Sequence, residues 1–216
     1  MHETLKHNTL KLSPTDPLSE TLFSIADFYE ECKYGYEGCE GYRKSTDLRK
    51  FTRCAQELQA LGFIHPDKTV FTDLGCADGR VNVMMSYFVR KSIGIEIDPD
   101  ILAEFAPRKA GLVGRLQQLR LLPPPDNIYL LAGSSLEAET YRRIATDLDV
   151  RFTDVDLFYT YIFLHDVYGE IIASEARSGA LYLVYGFSKI LPRYEGLEMV
   201  LPDVAGQGIA ALYRKL

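Results

Sequence analysis

The chain predicts a doubly wound α/β fold: a mostly parallel sheet with helices on both faces, a C-terminal antiparallel hairpin, and a helical N-terminal extension. Three observations carry this. From Thr69 onward, nearly all-apolar runs alternate with helical stretches, the pattern of parallel strands buried on both faces. The run Phe71-Thr-Asp-Leu-Gly-Cys-Ala-Asp-Gly-Arg80 reads as a strand that enters a glycine turn and opens a helix. The last two strand runs are separated only by Pro-Asp-Val-Ala-Gly-Gln, too short for a crossover helix, so they must be antiparallel neighbours.

Taken in order, residues 1 to about 20 are polar, carry Pro14 and Pro17, and read as flexible. Apolar residues at helical spacing (Leu22, Ile25, Ala26, Phe28) predict a helix over 18–32. The stretch 34–42 holds three glycines and three tyrosines and reads as a loop. A second helix is predicted from an N-cap at Ser45 or Thr46 to Leu61, closed by Gly62. The extension 1–44 is thus set apart from a domain spanning 45–216. In that domain strands are predicted at 69–74, 92–97, 127–132, 155–161 and 180–186, with the hairpin at 197–201 and 208–214. Helices fall at 80–90, 99–121, 135–147 and 166–177. The second of these contains Gly111 and Gly114 and reads as two helices with a break.

Composition narrows the class. With 216 residues, 47% of them hydrophobic, the chain can bury one good core. A net charge of −6 disfavours binding nucleic acid through the overall field. No uncharged apolar run approaches the roughly 18 residues of a membrane helix, and the N-terminus has no apolar signal core. Cys32, Cys39, Cys54 and Cys76 form no Cys-x-x-Cys pair and have no near histidine, so neither a metal site nor a disulfide framework is predicted. These features predict a cytoplasmic protein that does not enter a membrane. Nothing favours one oligomeric state.

The glycine turn supplies the functional reading. Small residues at 75, 77 and 79 let the backbone approach a ligand closely. A second strand, Ile93-Gly-Ile-Glu-Ile-Asp98, ends in Glu96, 21 residues after Gly75, the distance of a ribose-binding acid in a nucleotide-binding βαβ unit. A carboxylate at the end of a buried strand needs partners, and two ribose hydroxyls would supply them. Asp78 and Arg80 also read as a local ion pair. The turn is Gly-x-Ala-x-Gly rather than Gly-x-Gly-x-x-Gly, which counts against a nicotinamide dinucleotide.

Asp73-Leu-Gly-Cys-Ala-Asp-Gly79 followed by Gly94-Ile-Glu-Ile-Asp98 resembles motif I and the second-strand acid of class I S-adenosylmethionine-dependent methyltransferases, which share a Rossmann-like fold. Asp156-Leu-Phe-Tyr-Thr-Tyr-Ile-Phe-Leu-His-Asp-Val167 is similar to that family's fourth strand, and the hairpin to its last two. A closer likeness is to Dot1-like protein lysine methyltransferases. The resemblance implies that Gly75, Cys76, Ala77 and Gly79 face the methionine part of the cofactor. It also implies that Asp73 holds its amino group, Glu96 its ribose and Ile97 its adenine. Where the family often has an adenine-reading acid, this chain has Ser134.

Methyl transfer asks mainly for in-line alignment, because the donor sulfonium is already activated. Tyr159 and Tyr161 are the catalytic candidates: their rings can line a cationic group and their hydroxyls can orient a nucleophile. His165 reads as structural. Tyr34, Tyr36 and Tyr42 could cover the cofactor or form a plain surface loop, and Arg108, Lys109, Arg115 and Arg120 read as a solvated helix face. The resulting expectation is methyl transfer to a small molecule or a protein side chain. Nucleic acid is disfavoured, since the Asn/Asp-Pro-Pro-Tyr signature of DNA amino methylases is absent. The alternatives are a non-catalytic cofactor-binding protein and, further off, an NAD-dependent oxidoreductase.

Overall fold

The computed structural model describes residues 16–32, 37–38, 41–42, 45–187 and 191–216. Its elements run α1 (Pro17–Glu31), β1 (Glu37–Gly38), β2 (Gly41–Tyr42), α2 (Leu48–Ala60), β3 (Val70–Asp73), α3 (Arg80–Met85) and β4 (Lys91–Glu96). They continue with α4 (Pro99–Ala103), α5 (Phe105–Gln118), β5 (Ile128–Ala132), α6 (Ala138–Leu148), β6 (Leu157–Tyr161), α7 (His165–Glu175), β7 (Leu181–Tyr185), β8 (Leu197–Leu201) and β9 (Ala210–Lys215). The main sheet has seven strands in the order β5-β4-β3-β6-β7-β9-β8. Strands β3 to β7 are parallel, while β9 runs antiparallel to both β7 and β8. The doubly wound sheet with its antiparallel end is therefore as predicted.

Alternation within the strands builds two cores. Phe71, Leu157, Tyr159, Leu183 and Tyr185 face α1, α2, α3 and α5, where they meet Leu22, Ile25, Phe51, Leu58 and Leu112. Val70, Ile93, Phe158, Tyr182 and Val184 face α6 and α7, where they meet Ile144 and Ile172. Each fully buried aliphatic or aromatic side chain here contributes about 1.5–3 kcal/mol. Helix α1 is part of the first core through Leu22, Ile25 and the fully buried Tyr29.

Several boundaries differ from the sequence reading, each for a local reason. Helix α1 starts at Pro17, with Asp16 accepting the Leu18 and Ser19 N–H groups, so the end of the stretch read as flexible is helical. Helix α2 is capped by Asp47, which accepts the Lys50 N–H at 3.1 Å, and not by Ser45 or Thr46. Helix α3 stops at Met85; the Ser86 hydroxyl donates to the Val83 carbonyl, and Asn127 donates to the carbonyls of Ser86 and Val89. The break in 99–121 falls at Glu104 rather than at a glycine. Pro107 has no N–H for the Ala103 carbonyl, so α4 ends there. Within 34–42 the backbone forms a two-residue antiparallel ladder, Glu37–Gly38 with Gly41–Tyr42, in place of a plain loop. The side chains of Tyr34, Tyr36 and Tyr42 lie outside the described residues. Among those residues, no helix is long and apolar enough to cross a membrane.

Candidate cofactor site

The strand order reverses between β3 and β6, with β4 and β5 built outward on one side and β6 and β7 on the other. In an open α/β sheet the ligand crevice lies at the carboxyl ends of the strands, at this reversal. The loop 74–79 emerges there from β3. Two of its residues take left-handed backbone: Ala77 at φ 48° and Gly79 at φ 73°. At Gly79 a Cβ would sit 2.6 Å from Leu130 Cδ1 and 2.8 Å from Phe105 Cδ2, so only glycine fits. The loop lies against Gly94 of β4, where a Cβ would come within 2.7 Å of Cys76 Cβ. That contact explains the glycine in Ile-Gly-Ile. Gly75 is the opposite case: a Cβ there would meet nothing within 4 Å, so its face is open.

Glu96, only 8% exposed, closes the loop from the β4 side. Its carboxylate accepts the Ala77 N–H at 2.8 Å and the Asp98 N–H at 3.0 Å. The fold itself thus supplies two partners for this acid, and a carboxylate has room for further donors. Asp73 is 2% exposed and accepts the Gly75 N–H at 3.2 Å. Among the described residues no cation pairs with it. Burial, with the charges of Glu96 and Asp78, pushes its carboxyl up to about 8, against the pull of that N–H. Burial likewise pushes the Cys76 thiol well above its usual range.

Asp78 is fully buried and forms ion pairs with Arg80 and Arg108, each at 3.0 Å. The expected Asp78–Arg80 pair exists, and Arg108 completes it across the interface with α5. The reading of Arg108 and Arg115 as a solvated face is corrected: Arg108 pairs with Asp78 and Glu104, and Arg115 with Glu31 of α1. Arg80 also donates to the Cys32 carbonyl and stands 5.2 Å over the Tyr29 ring, which ties α1 to the loop.

At the neighbouring strand ends, Ile97 is about half exposed beyond β4. The Ser134 hydroxyl accepts the Leu136 N–H at 3.2 Å, and Ser135 donates to the Leu74 carbonyl at 2.6 Å. Tyr159 and Tyr161 of β6 line one cleft with Asp73, Gly75, Cys76 and Ala77. The Tyr159 hydroxyl is engaged with Thr46 Oγ1 at 2.7 Å. His165 begins α7; its Nδ1 meets the Tyr194 hydroxyl at 2.8 Å and Asp166 at 3.0 Å, and its ring lies edge-on to Phe187. Three contributors escaped the sequence reading. Ser45 and Thr46 were read as a helix cap and Arg108 as surface, and only contacts distant in sequence reassign them.

The strand order, its reversed last strand and the glycine loop at the reversal define the Rossmann-like fold of class I S-adenosylmethionine-dependent methyltransferases. No protein-family model matches this sequence, and no curated protein sequence does. Solved structures do match. One is the tRNA (m1A58) methyltransferase TrmI from Aquifex aeolicus, with a TM-score of 0.52 and 13% identity over 92% of this chain and 76% of that one. Another is the putative methyltransferase yhhF from Escherichia coli, at 0.51 and 17% over 82% of this chain and 88% of that one. At such identities the likeness establishes the fold.

The expectation that disfavoured nucleic acid as a partner is overturned, because a tRNA methyltransferase carries this fold. That expectation rested on the net charge and on a missing signature of DNA amino methylases. Net charge reports the long-range field, whereas an acceptor is recognised by the local surface beside the site.

Proposed function

We propose that this chain is an S-adenosylmethionine-dependent methyltransferase. The observation that carries the proposal is the loop 74–79, left-handed at Ala77 and Gly79, seated on Gly94, with buried Asp73 and Glu96 on either side. The residues suit the cofactor. Asp73, a buried acid with no paired cation among the described residues, matches the ammonium. Glu96 accepts the ribose hydroxyls, and the open face at Gly75 accommodates the methionine chain, bordered by Cys76, Ala77 and Gly79. Ile97 offers an apolar face to the adenine, and Ser134 a hydroxyl to its edge.

The cofactor supplies an activated methyl group, so the protein's task is alignment and exclusion of water. Tyr161, partly buried at the end of β6, is the hydroxyl and ring placed to line the acceptor side, next to Tyr159. The neighbouring tRNA methyltransferase fold supports RNA as the acceptor. A small-molecule or protein acceptor is the second reading, which the same experiment separates from the first. Incubation with methyl-tritiated cofactor and, separately, bulk tRNA, rRNA, protein extract and metabolite extract tests both. Label in RNA supports the first reading, and label confined to protein or metabolites supports the second. Tight cofactor binding with no transfer to any fraction would leave a binding protein. Preferential binding of NAD would sink the methyltransferase reading.

A further inference from the structure

Ser45 and Thr46 line the cleft just before α2, and two tyrosines from adjacent strands bond the segment 45–47. Tyr159 of β6 bonds Thr46 Oγ1 at 2.7 Å in a buried contact, and Tyr185 of β7 donates to the Asp47 carbonyl at 3.3 Å. The ring of Phe51, one turn into α2, packs edge-on against both tyrosines, with centroids at 5.2 and 6.1 Å. A helix start needs a cap, but Asp47 already provides it by accepting the Lys50 N–H. The hydroxyls of Ser45 and Thr46 are therefore not required by α2. Both residues instead line the cleft shared by Asp73, Gly75 and Arg80.

Strand order says which part of a bound cofactor this wall meets. Glu96 ends β4, on one side of β3; Tyr159 lies in β6, on the other, in register with Asp73. With the ribose at Glu96 and the ammonium at Asp73, the segment 45–47 stands at the end of the ligand farthest from the nucleoside. That end carries an ammonium and a carboxylate. Asp73 suits the first, and the second calls for hydrogen-bond donors.

We propose that residues 45–47 recognise the α-amino-carboxylate end of the cofactor, with Ser45 donating to its carboxylate beside Arg80, and that Tyr159 is the positioning residue that holds this wall in place. This rests on the methyltransferase reading above. It also accounts for the state of Tyr159: its burial and the nearby Asp73 charge hold the phenol far above its usual range, so it acts as a neutral strut and not as a base.

The test compares two ligands by titration calorimetry: S-adenosylhomocysteine, and methylthioadenosine, which has the same nucleoside but no amino-acid end. Wild type should prefer the first. Thr46→Val and Tyr159→Phe should each weaken S-adenosylhomocysteine roughly tenfold while leaving methylthioadenosine unchanged, and the double variant should lose little more than either single one. Ser45→Ala, a change at an exposed side chain that folding should tolerate, should weaken S-adenosylhomocysteine several-fold, again without affecting methylthioadenosine. Parallel losses for both ligands, or none for either, would overturn the proposal while leaving the cofactor reading intact. So would equal wild-type affinity for the two. A folded wild type that binds neither ligand would overturn the cofactor reading itself, and this inference with it.

Discussion

The Glu96 carboxylate accepts the backbone N–H of Ala77 at 2.8 Å, from a loop residue held at φ 48°. One acid thus shapes the glycine loop and, in the function proposed above, is also the acceptor for the ribose. Left-handed backbone costs a non-glycine residue about 1–2 kcal/mol, which this bond helps to offset.

Glu96→Ala should therefore act twice. It leaves the Ala77 and Asp98 N–H groups without their acceptor, which should lower stability by about 1–3 kcal/mol. It should also weaken S-adenosylhomocysteine about tenfold or more. Urea unfolding reads the first effect and calorimetry the second. Unchanged affinity in a folded variant would mean that the ribose site lies elsewhere.

Two glycines should respond oppositely to alanine. At Gly75 a Cβ meets no atom within 4 Å, so Gly75→Ala should fold with wild-type stability yet bind cofactor at least tenfold more weakly, because the methyl group fills the ligand's space. At Gly94 it would strike Cys76 Cβ, Asn82 Oδ1 and Leu130 Cδ2 at 2.6–2.7 Å, so Gly94→Ala should lose about 1–3 kcal/mol of stability. Melting curves and titrations on both variants decide.

Asp73 sets a pH dependence. Its carboxyl is pushed up to about 8 from 3.8, first by burial and then by Glu96 and Asp78, so between these values the folded state holds a proton that the unfolded state has lost. Stability from this group is full below about pH 4 and declines as pH rises to about 8. Asp73→Asn should flatten that decline and be the more stable protein at pH 8, by about 2–5 kcal/mol. Cofactor affinity should move the other way. An ammonium partner favours the charged carboxylate, so wild-type binding should tighten from pH 6 to 8, and the asparagine variant should bind weakly throughout. Unfolding and binding series across that range read both slopes.

Asp78 carries structural load. Asp78→Ala would remove a buried anion from Arg80, whose side chain is 7% exposed, and one of the two carboxylates that pair with Arg108, which keeps Glu104. A loss of about 3–5 kcal/mol is expected from breaking a buried ion pair by removing one partner. Arg108→Ala should cost less, because Arg80 still neutralises the acid. Equal losses for the two, measured by urea unfolding, would contradict this ranking.

Much of the architecture was legible because it depends on near neighbours in the chain. Nearly all-apolar runs placed the seven strands, and helical spacing most of the helices. The six residues 202–207 forced the hairpin, and the spacing from Gly75 to Glu96 paired the loop with its acid. Elements failed where a local competitor acted, as with Ser86 ending α3 and Pro107 splitting the helix before it. What reading along the chain could not reach were the contacts that give residues their roles. Arg108 looks like any surface cation until α5 docks it on Asp78, 30 residues away. Thr46 looks like a helix cap until folding brings it to Tyr159, 113 residues away. Periodicity and motif spacing encode what a residue sees within a few turns of chain. Which polar groups meet across the core depends on how helices seat on the sheet, and that is set by the packing of the whole.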